Sequence, residues 1–141
     1  CTILSKKDSY ITAAATPEGA EFGYVFMNCR LIHDEKTTSV YLGRPWRSYA
    51  KTVFIGCELG DHIRTEGWHN WSKPYAEKTT FYAEYGNSGP GAAAHEERVK
   101  WSHELKAKDL KKYTPENVLQ CGSEQDKNGK DIKVDWYFKV F

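Results

Sequence analysis

The sequence lacks any apolar run near the roughly 20 residues that a transmembrane helix needs, so we expect no membrane as a partner. It also lacks an excess of one charge sign, because 20 basic and 19 acidic residues give a formal net charge of +1. A chain without a strong overall field has no general attraction for polyanions. We therefore expect no nucleic acid as a partner either.

The motifs of several hydrolase classes are missing as well. The histidines form no HxH or HExxH pattern and the cysteines no C-x-x-C pair, so we predict no metal site and no cofactor. No G-x-S-x-G sequence marks a serine nucleophile. The numbering begins at Cys1 with neither an initiating Met nor a signal peptide, and we expect the start of the gene product to lie upstream.

What the sequence does contain is an internal repeat. Residues 25–31 read VFMNCRL and residues 53–59 read VFIGCEL, an offset of 28 residues. Each copy has the alternating character of a short strand. Further short β-like runs lie at residues 10–13, 40–42, 80–85 and 98–101. Several short strands per repeat, without a convincing helical pattern, predict a solenoid whose coils stack on one another.

Three cysteines occupy the same position of successive copies: Cys1, Cys29 and Cys57. Stacked strands lie about 4.8 Å apart, a spacing that suits small apolar thiols. Disulfide geometry is unfavourable between parallel, in-register neighbours. We therefore expect a buried ladder of reduced cysteines.

The residue pattern of the sequence changes after Leu105. Residues 106–112 are the most helix-like stretch, and residues 123–133 read as a polar loop. The end of a solenoid needs a capping unit with one polar face exposed to solvent. We therefore divide the chain into solenoid coils at residues 1–105 and a C-terminal cap or tail at residues 106–141.

Three motifs in the predicted solenoid resemble one known family. Residues 41–46 read YLGRPW, which is similar to the hallmark motif of pectin methylesterases; residues 67–71 (GWHNW) match the family's GWxxW, and residues 82–92 match its YxEYxNxGPGA. The YITA strand at residues 10–13 and the RVKW strand at residues 98–101 flank them in the family's order. The resemblance implies an all-β fold, a right-handed single-stranded parallel β-helix that is partial here and ends in a capping segment.

The resemblance also implies a reaction whose nucleophile is absent from this chain. In the family an aspartate attacks the methyl ester of polygalacturonate, a second aspartate protonates the leaving methanol, and water hydrolyses the covalent intermediate. Both aspartates precede the position of Cys1, the nucleophile in a DFIFG-type strand that these residues do not contain. We expect the C-terminal part of a secreted or periplasmic pectin methylesterase. Its partners would be methyl-esterified homogalacturonan (pectin) and upstream β-helix coils of the same protein.

Arg44 is the one catalytic residue that the motif match nominates. The family's motif arginine hydrogen-bonds the nucleophilic carboxylate. A permanently charged, planar guanidinium keeps a carboxylate ionised and oriented better than Lys does. An Arg before Pro on a loop is otherwise most often a solvated surface charge, and the flanking motif favours the catalytic interpretation.

Trp46, Trp68 and Trp71 are the predicted substrate-binding residues. The indole of Trp46 would stack on the apolar face of a galacturonate ring. Because Trp46 is two residues after Arg44, and Pro45 restricts Arg44 to extended conformations, both side chains are expected on one side. Trp68 and Trp71 either line the cleft or pin a loop onto the solenoid wall, and the sequence leaves both interpretations open.

A second functional class fits the missing aspartates. The chain would then be a truncated, non-catalytic polygalacturonate-binding β-helix. Solenoids that cleave polygalacturonate itself are a third class, but their sites need clustered Asp residues that this sequence lacks.

Overall fold

The computed structural model describes residues 1–119 together with the backbone of residues 123–125 and 131–133. The chain forms two compact units, Cys1–Leu105 and Lys106–Phe141. The first unit contains nine strands: β1 (Thr2–Ser5), β2 (Tyr10–Ala14), β3 (Tyr24–Met27), β4 (Arg30–His33), β5 (Tyr41–Pro45), β6 (Lys51–Ile55), β7 (Glu58–Leu59), β8 (Phe81–Tyr85) and β9 (His103–Glu104). It also contains three 3-10 helices: Pro74–Lys78, Pro90–Ala92 and His95–Glu97.

The nine strands form three parallel sheets, each made of strands from successive coils. Their orders are β1-β4-β7, β2-β5 and β3-β6-β8-β9. Neighbours within a sheet are separated along the chain by strands of the other sheets, as stacked coils require, except for β8 and β9, which only 3-10 helices separate. The result is a β-solenoid of about three turns, so the predicted parallel β-helix is confirmed.

The 28-residue repeat is the register of the first sheet and of the β3–β6 pair. Leu31 pairs with Leu59 in the first sheet, and Phe26 pairs with Phe54 in the sheet built on β3. The rings of Phe26 and Phe54 stack with centroids 4.6 Å apart and planes within 8°. Leu31, Phe54 and Leu59 are buried in the core, so the repeated apolar positions fill the inside of the solenoid.

The chain turns a corner directly after β3, β6 and β8, and the first two corners directly precede Cys29 and Cys57. Asn28, Gly56 and Gly86 mark these corners, with φ angles of 55°, 62° and 61°. Asn and Gly are the residues that adopt this left-handed conformation at least cost. The corner therefore recurs where the repeat places such a residue.

The predicted ladder of reduced cysteines is confirmed for two of its three members. Cys29 and Cys57 are buried and carry free thiols. Burial raises the pKa of the Cys57 thiol, which keeps it protonated at neutral pH. The prediction was wrong for Cys1, which is also free but is exposed.

The strand predicted at residues 98–101 was also wrong. This segment turns, and the chain joins the sheet later, at β9. The cause is Arg98, whose side chain points inward and makes a two-pronged ion pair with Glu84: Nε donates over 2.8 Å and Nη2 over 3.2 Å. The guanidinium also donates to the backbone oxygens of Arg64, Thr65 and Gly91. A side chain with five such contacts sets the path of the backbone that carries it.

The second unit begins with a 3-10 helix, Ala107–Lys112, followed by the helix α1 (Pro115–Val118). Thr114 caps α1 by accepting a hydrogen bond from the backbone N–H of Asn117 at 3.1 Å. The polar loop predicted at residues 123–133 contains two short strands, β10 (Ser123–Gln125) and β11 (Asp131–Lys133), which pair antiparallel. Over the described residues, no helix has the length and apolarity needed to span a bilayer.

Two arginines should differ sharply in their contribution to stability. The Arg98–Glu84 pair has side-chain exposures of only 6% and 13%, whereas Arg30–Glu58 is exposed at 61% and 56%. Arg98→Ala leaves a buried carboxylate without its cation and should lower the free energy of unfolding by about 3–5 kcal/mol. Arg30→Ala, the matched control, should change it by less than about 1 kcal/mol. Urea unfolding of both variants measures this, and equal losses would contradict the structural role of Arg98.

Candidate active site

Arg44 lies in β5, between one strand and a segment of the next coil. In the coil before, Ala13 of β2 pairs with Arg44, and the backbone N–H of Trp46 donates to Ala14 over 3.0 Å. On the other side, His69 donates its N–H to the carbonyl of Gly43 over 3.1 Å. The YLGRPW motif is therefore fixed on both edges by backbone hydrogen bonds.

The Arg44 guanidinium lies within a cluster of aromatic rings. Its central carbon is 3.8 Å from the ring centroid of Trp71, 5.1 Å from that of Tyr10 and 5.4 Å from that of Trp46. Distances under about 6 Å permit cation–π attraction. The guanidinium and the Trp46 indole therefore meet on one side of β5, as their spacing predicts.

Trp46 and Trp71 form an exposed aromatic pair beside this cation. Their rings stack with centroids 5.7 Å apart and planes at 20°, and 52% of Trp46 and 39% of Trp71 remain exposed. Large aromatic residues are usually mostly buried, so exposure of two adjacent indoles marks a surface built for contact.

One atom of Arg44 lacks a partner. Its Nη1 is buried and has no hydrogen bond among the described residues, and no described carboxylate forms an ion pair with the group. A buried donor without an acceptor is destabilising by about 1–3 kcal/mol, and more when it is charged. Nη1 is therefore a donor of this cation for which the described residues supply no acceptor.

The loop that carries Trp71 is held in an unusual conformation. Trp71 and Ser72 have φ angles of 51° and 57°, a region that residues other than glycine rarely adopt. Asn70 fixes this turn, since its Oδ1 accepts from the Ser72 N–H over 3.0 Å and its Nδ2 donates to Glu77 over 2.9 Å. Backbone strain of this kind is concentrated at functional sites, and here it lays the indole over Arg44.

Trp68 lies elsewhere than the other two candidate tryptophans. It is 1% exposed and belongs to the core, where its indole stacks on Tyr82 with centroids 4.3 Å apart. A Cβ on Gly43 would stand 3.0 Å from the Trp68 ring and 2.4 Å from Thr12 Oγ1, so the motif glycine makes room for the indole. This geometry favours packing against the wall for Trp68, while Trp71 lines the surface.

Tyr10 and His69 also belong to the site, and the sequence analysis did not nominate them. The Tyr10 hydroxyl lies 2.9 Å from His69 Nδ1, and the His69 ring stacks on Tyr41 at 4.9 Å. Tyr10 pairs with Tyr41 across an offset of 31 residues, not 28. The YITA segment at residues 10–13 predicted a strand there, but it did not indicate that Tyr10 belongs to a site.

The comparisons with known proteins agree on one family. The family model described as Pectinesterase matches residues 2–122. Pectinesterase 4 of Arabidopsis thaliana is 40% identical over 108 residues, which cover 72% of this chain and 18% of that protein. The structure of pectin methylesterase from carrot matches with a TM-score of 0.75 and 27% identity, over 84% of this chain and 41% of that one. The deglycosylated enzyme from Aspergillus niger matches with a TM-score of 0.66 and 31% identity, over 76% and 36%.

These matches place the fold among the parallel β-helices of pectin methylesterases. The chain belongs to the pectinesterase family. It spans less than half the length of the solved structures and about a fifth of the length of the curated relatives that it matches.

The pKa of His69 reports the electrostatics of this site. Burial lowers the pKa of His69 below its usual 6.5, and the nearby positive charges of Arg64 and Arg44 lower it further, against a smaller opposing effect of Glu66. We expect the ring to titrate below 6.5 in the folded chain. The fold then favours the neutral ring, so this contribution to stability is complete above pH 6.5 and falls as the pH drops toward the folded-state pKa.

Arg64→Gln should raise the pKa of His69, because it removes a cation and leaves the Glu66 carboxylate in place. NMR titration of the His69 ring protons measures the change. Arg30→Gln, on a different sheet, is the matched control and should leave the His69 pKa unchanged. An unaltered midpoint in Arg64→Gln would contradict the assigned cause.

Proposed function

We propose that this chain is the C-terminal part of a pectin methylesterase in which Arg44 orients the carboxylate of an aspartate nucleophile supplied from outside these residues. The observation that carries the proposal is the buried Nη1 of Arg44, which has no hydrogen-bond partner among the described residues. A carboxylate is the acceptor that matches a guanidinium in charge and shape. Pectin methylesterases named among the relatives supply the reaction, hydrolysis of methyl esters to pectate and methanol.

The surroundings of Arg44 suit this role chemically. The nucleophile must stay ionised to attack an ester carbonyl, and a guanidinium within hydrogen-bond reach lowers a carboxyl pKa. The ring centroids of Tyr10 and Trp71 lie 5.1 and 3.8 Å from the guanidinium carbon, and the N–H groups at the guanidinium edge would donate to the carboxylate. Cation–π contacts with this aromatic cluster thus restrict the orientation of the guanidinium before a carboxylate binds.

A groove next to Trp46 fits a polyuronide substrate. It has a volume of about 490 Å³, and its lining includes the aromatic residues Trp46 and Tyr75, the cations Arg47 and Lys73, and one carboxylate, Glu18. Lys73 Nζ donates to the backbone oxygen of Trp46 over 2.8 Å, so a positive charge stands beside the indole. Galacturonate offers an apolar sugar face and a carboxylate, which are the two chemistries that this lining recognises. Because pectin is a wall polymer, we also propose that the protein acts outside the cytoplasm, secreted or periplasmic.

Substitution of Arg44 tests the catalytic role. In the full gene product, Arg44→Gln should lower kcat for methanol release from methyl-esterified pectin by about 10²–10³-fold, since one preorganised charged donor is removed. Arg44→Lys should recover only part of the rate, because an ammonium cannot offer a planar fork. Arg30→Gln, an exposed arginine on another sheet, is the matched control and should be unaffected. A full rate in Arg44→Gln would refute the role.

Substitution of Trp46 tests substrate binding separately from chemistry. Trp46→Ala should raise KM about tenfold with little change in kcat, because a stacked sugar is held alike in the ground and transition states. Tyr24→Ala removes another exposed aromatic residue, on β3, and should leave KM unchanged. A fall in kcat at constant KM would instead assign Trp46 to positioning of the reacting ester.

The exposed Trp46–Trp71 pair also favours the second candidate function, a non-catalytic polygalacturonate-binding β-helix. Binding needs only the groove, whereas ester hydrolysis needs a carboxylate beside Arg44. Calorimetry with oligogalacturonate and a methanol assay on the 141-residue chain distinguish the two functions. Binding that Trp46→Ala abolishes, with no methanol released by the full gene product, would favour the second; methanol release that requires Arg44 would exclude it.

A further inference from the structure

Three side chains that the proposed function does not use meet on the sheet made of β1, β4 and β7. They are His33 at the end of β4, and Asp61 and His62 just after β7. One ligand atom from each lies within 4.8 Å of the others. His33 Nε2 is 2.7 Å from Asp61 Oδ1, and the two imidazole rings have centroids 4.6 Å apart.

The register of the solenoid brings these residues together. β1 and β4 pair Ser5 with His33, and β4 and β7 pair Leu31 with Leu59, both at an offset of 28 residues. The same offset separates His33 from Asp61, so the two side chains belong to neighbouring coils at equivalent positions. His62 follows directly and turns inward. A group of histidines and a carboxylate is thus assembled across two coils.

His62 is the member that an ordinary surface ion pair does not explain. It is 1% exposed, yet neither of its ring nitrogens has a hydrogen-bond partner among the described residues. Buried polar atoms in folded proteins are nearly always satisfied, and an exception calls for a missing partner. One ring nitrogen of His62 lies within reach of His33 and Asp61, so a cation bound between the three would satisfy that nitrogen.

His33 is oriented as metal-ligating histidines usually are. Its Nδ1 lies 2.7 Å from the backbone oxygen of Asp34. A carbonyl only accepts, so Nδ1 carries a proton, and Nε2 is the nitrogen that faces the cluster, where it donates to Asp61 Oδ1 until a metal ion displaces its proton. Fixation of the tautomer by a backbone carbonyl is the usual outer contact of a histidine ligand.

We propose that His33, Asp61 and His62 form a binding site for one divalent transition-metal ion that joins two neighbouring coils. Two imidazoles and one carboxylate suit Zn²⁺ or its neighbours, whereas Ca²⁺ and Mg²⁺ prefer an all-oxygen shell. In a tetrahedral site the ligand atoms stand about 3.3 Å apart, with water as a fourth ligand. Asp61 can rotate to open the site, since 72% of its side chain is exposed.

The site is distinct from the one built around Arg44, which lies on the β2-β5 sheet. Both nitrogen ligands and the carboxylate come from the described residues, so the site depends on no other part of the protein. We therefore assign it a structural function. The metal ion would join β4 to the turn after β7, where the strand pairing is short. Its test is metal binding and not ester hydrolysis.

The experiment is a Zn²⁺ titration of the metal-stripped full chain by calorimetry, in a Cys1→Ser background that removes the exposed thiol. We expect one ion per chain. Asp61→Asn should weaken Zn²⁺ binding at least about tenfold and His33→Gln about 100-fold, since loss of even an outer contact of a ligand has such effects. The matched control is His95→Gln, an exposed histidine outside the cluster, which should bind as the parent does.

Spectra with Co²⁺ provide a second readout. Ligation by two nitrogens and an oxygen gives weak visible bands without an intense thiolate charge-transfer band, whereas such a band would place the ion at a cysteine and overturn the proposal. Should His62→Gln fail to fold, the variants at half-buried His33 and exposed Asp61 still decide. Undiminished Zn²⁺ affinity in both Asp61→Asn and His33→Gln, or no binding at micromolar Zn²⁺, would reduce the cluster to an ion pair and overturn the proposal.

Discussion

Backbone hydrogen bonding between successive coils is the interaction on which the whole first unit depends. Arg30 donates its N–H to Cys1, and Glu58 donates to Cys29, each over 2.8 Å. Gly60 continues the series by donating to Leu31 over 3.0 Å. Because every buried backbone group needs a partner, a residue can satisfy its donor only by lying over its equivalent one coil away. This constraint fixes the register, and the register decides which side chains meet.

The offset between equivalent residues differs among the sheets, and the site is built from that difference. The first sheet keeps 28 residues, β2 and β5 pair across 31, and β6 and β8 pair across 30. Extra residues are absorbed in the turns, where they do not disturb the pairing. The longer connections lie beside the Arg44 sheet, and one of them carries the 69–73 loop with its positive-φ turn at Trp71. The candidate site therefore combines Arg44 from strand β5 with Trp71 from one of the longer connections.

The sequence predicts the solenoid well, because a repeat can be found by comparing segments of the sequence with one another. Two copies at an offset of 28 residues were enough to predict stacked parallel strands and a buried position for Cys29 and Cys57. The prediction of a strand at residues 98–101 was wrong. The side chain of Arg98 points inward because it pairs with Glu84, which lies 14 residues away in the sequence. An ion pair between distant residues leaves no local pattern to read.

Only those residues of the candidate site that lie within the family motifs could be predicted from the sequence. Arg44 and Trp46 were found by their segment, but Tyr10 and His69 join them through an offset that no repeat revealed. The histidine cluster was missed for the same reason. A search for ligands close in sequence cannot detect residues such as His33 and His62, which meet only when coils stack. Spacing rules for metal sites describe ligands on one helix or hairpin, whereas in a solenoid the relevant spacing is the length of a coil.

Two arginines of this fold show how partners separate a structural role from a functional one. Arg98 and Arg44 both carry a permanently charged group in the solenoid wall, nearly buried in Arg98 and buried at Nη1 in Arg44. Arg98 is satisfied by a carboxylate and three carbonyl oxygens, and it holds the turn after the last long strand. Arg44 has aromatic faces around it and a buried nitrogen without an acceptor. The described residues supply acceptors for every nitrogen of Arg98 but none for Nη1 of Arg44, and this difference is the reason why we propose an anionic partner for Arg44 from outside these residues.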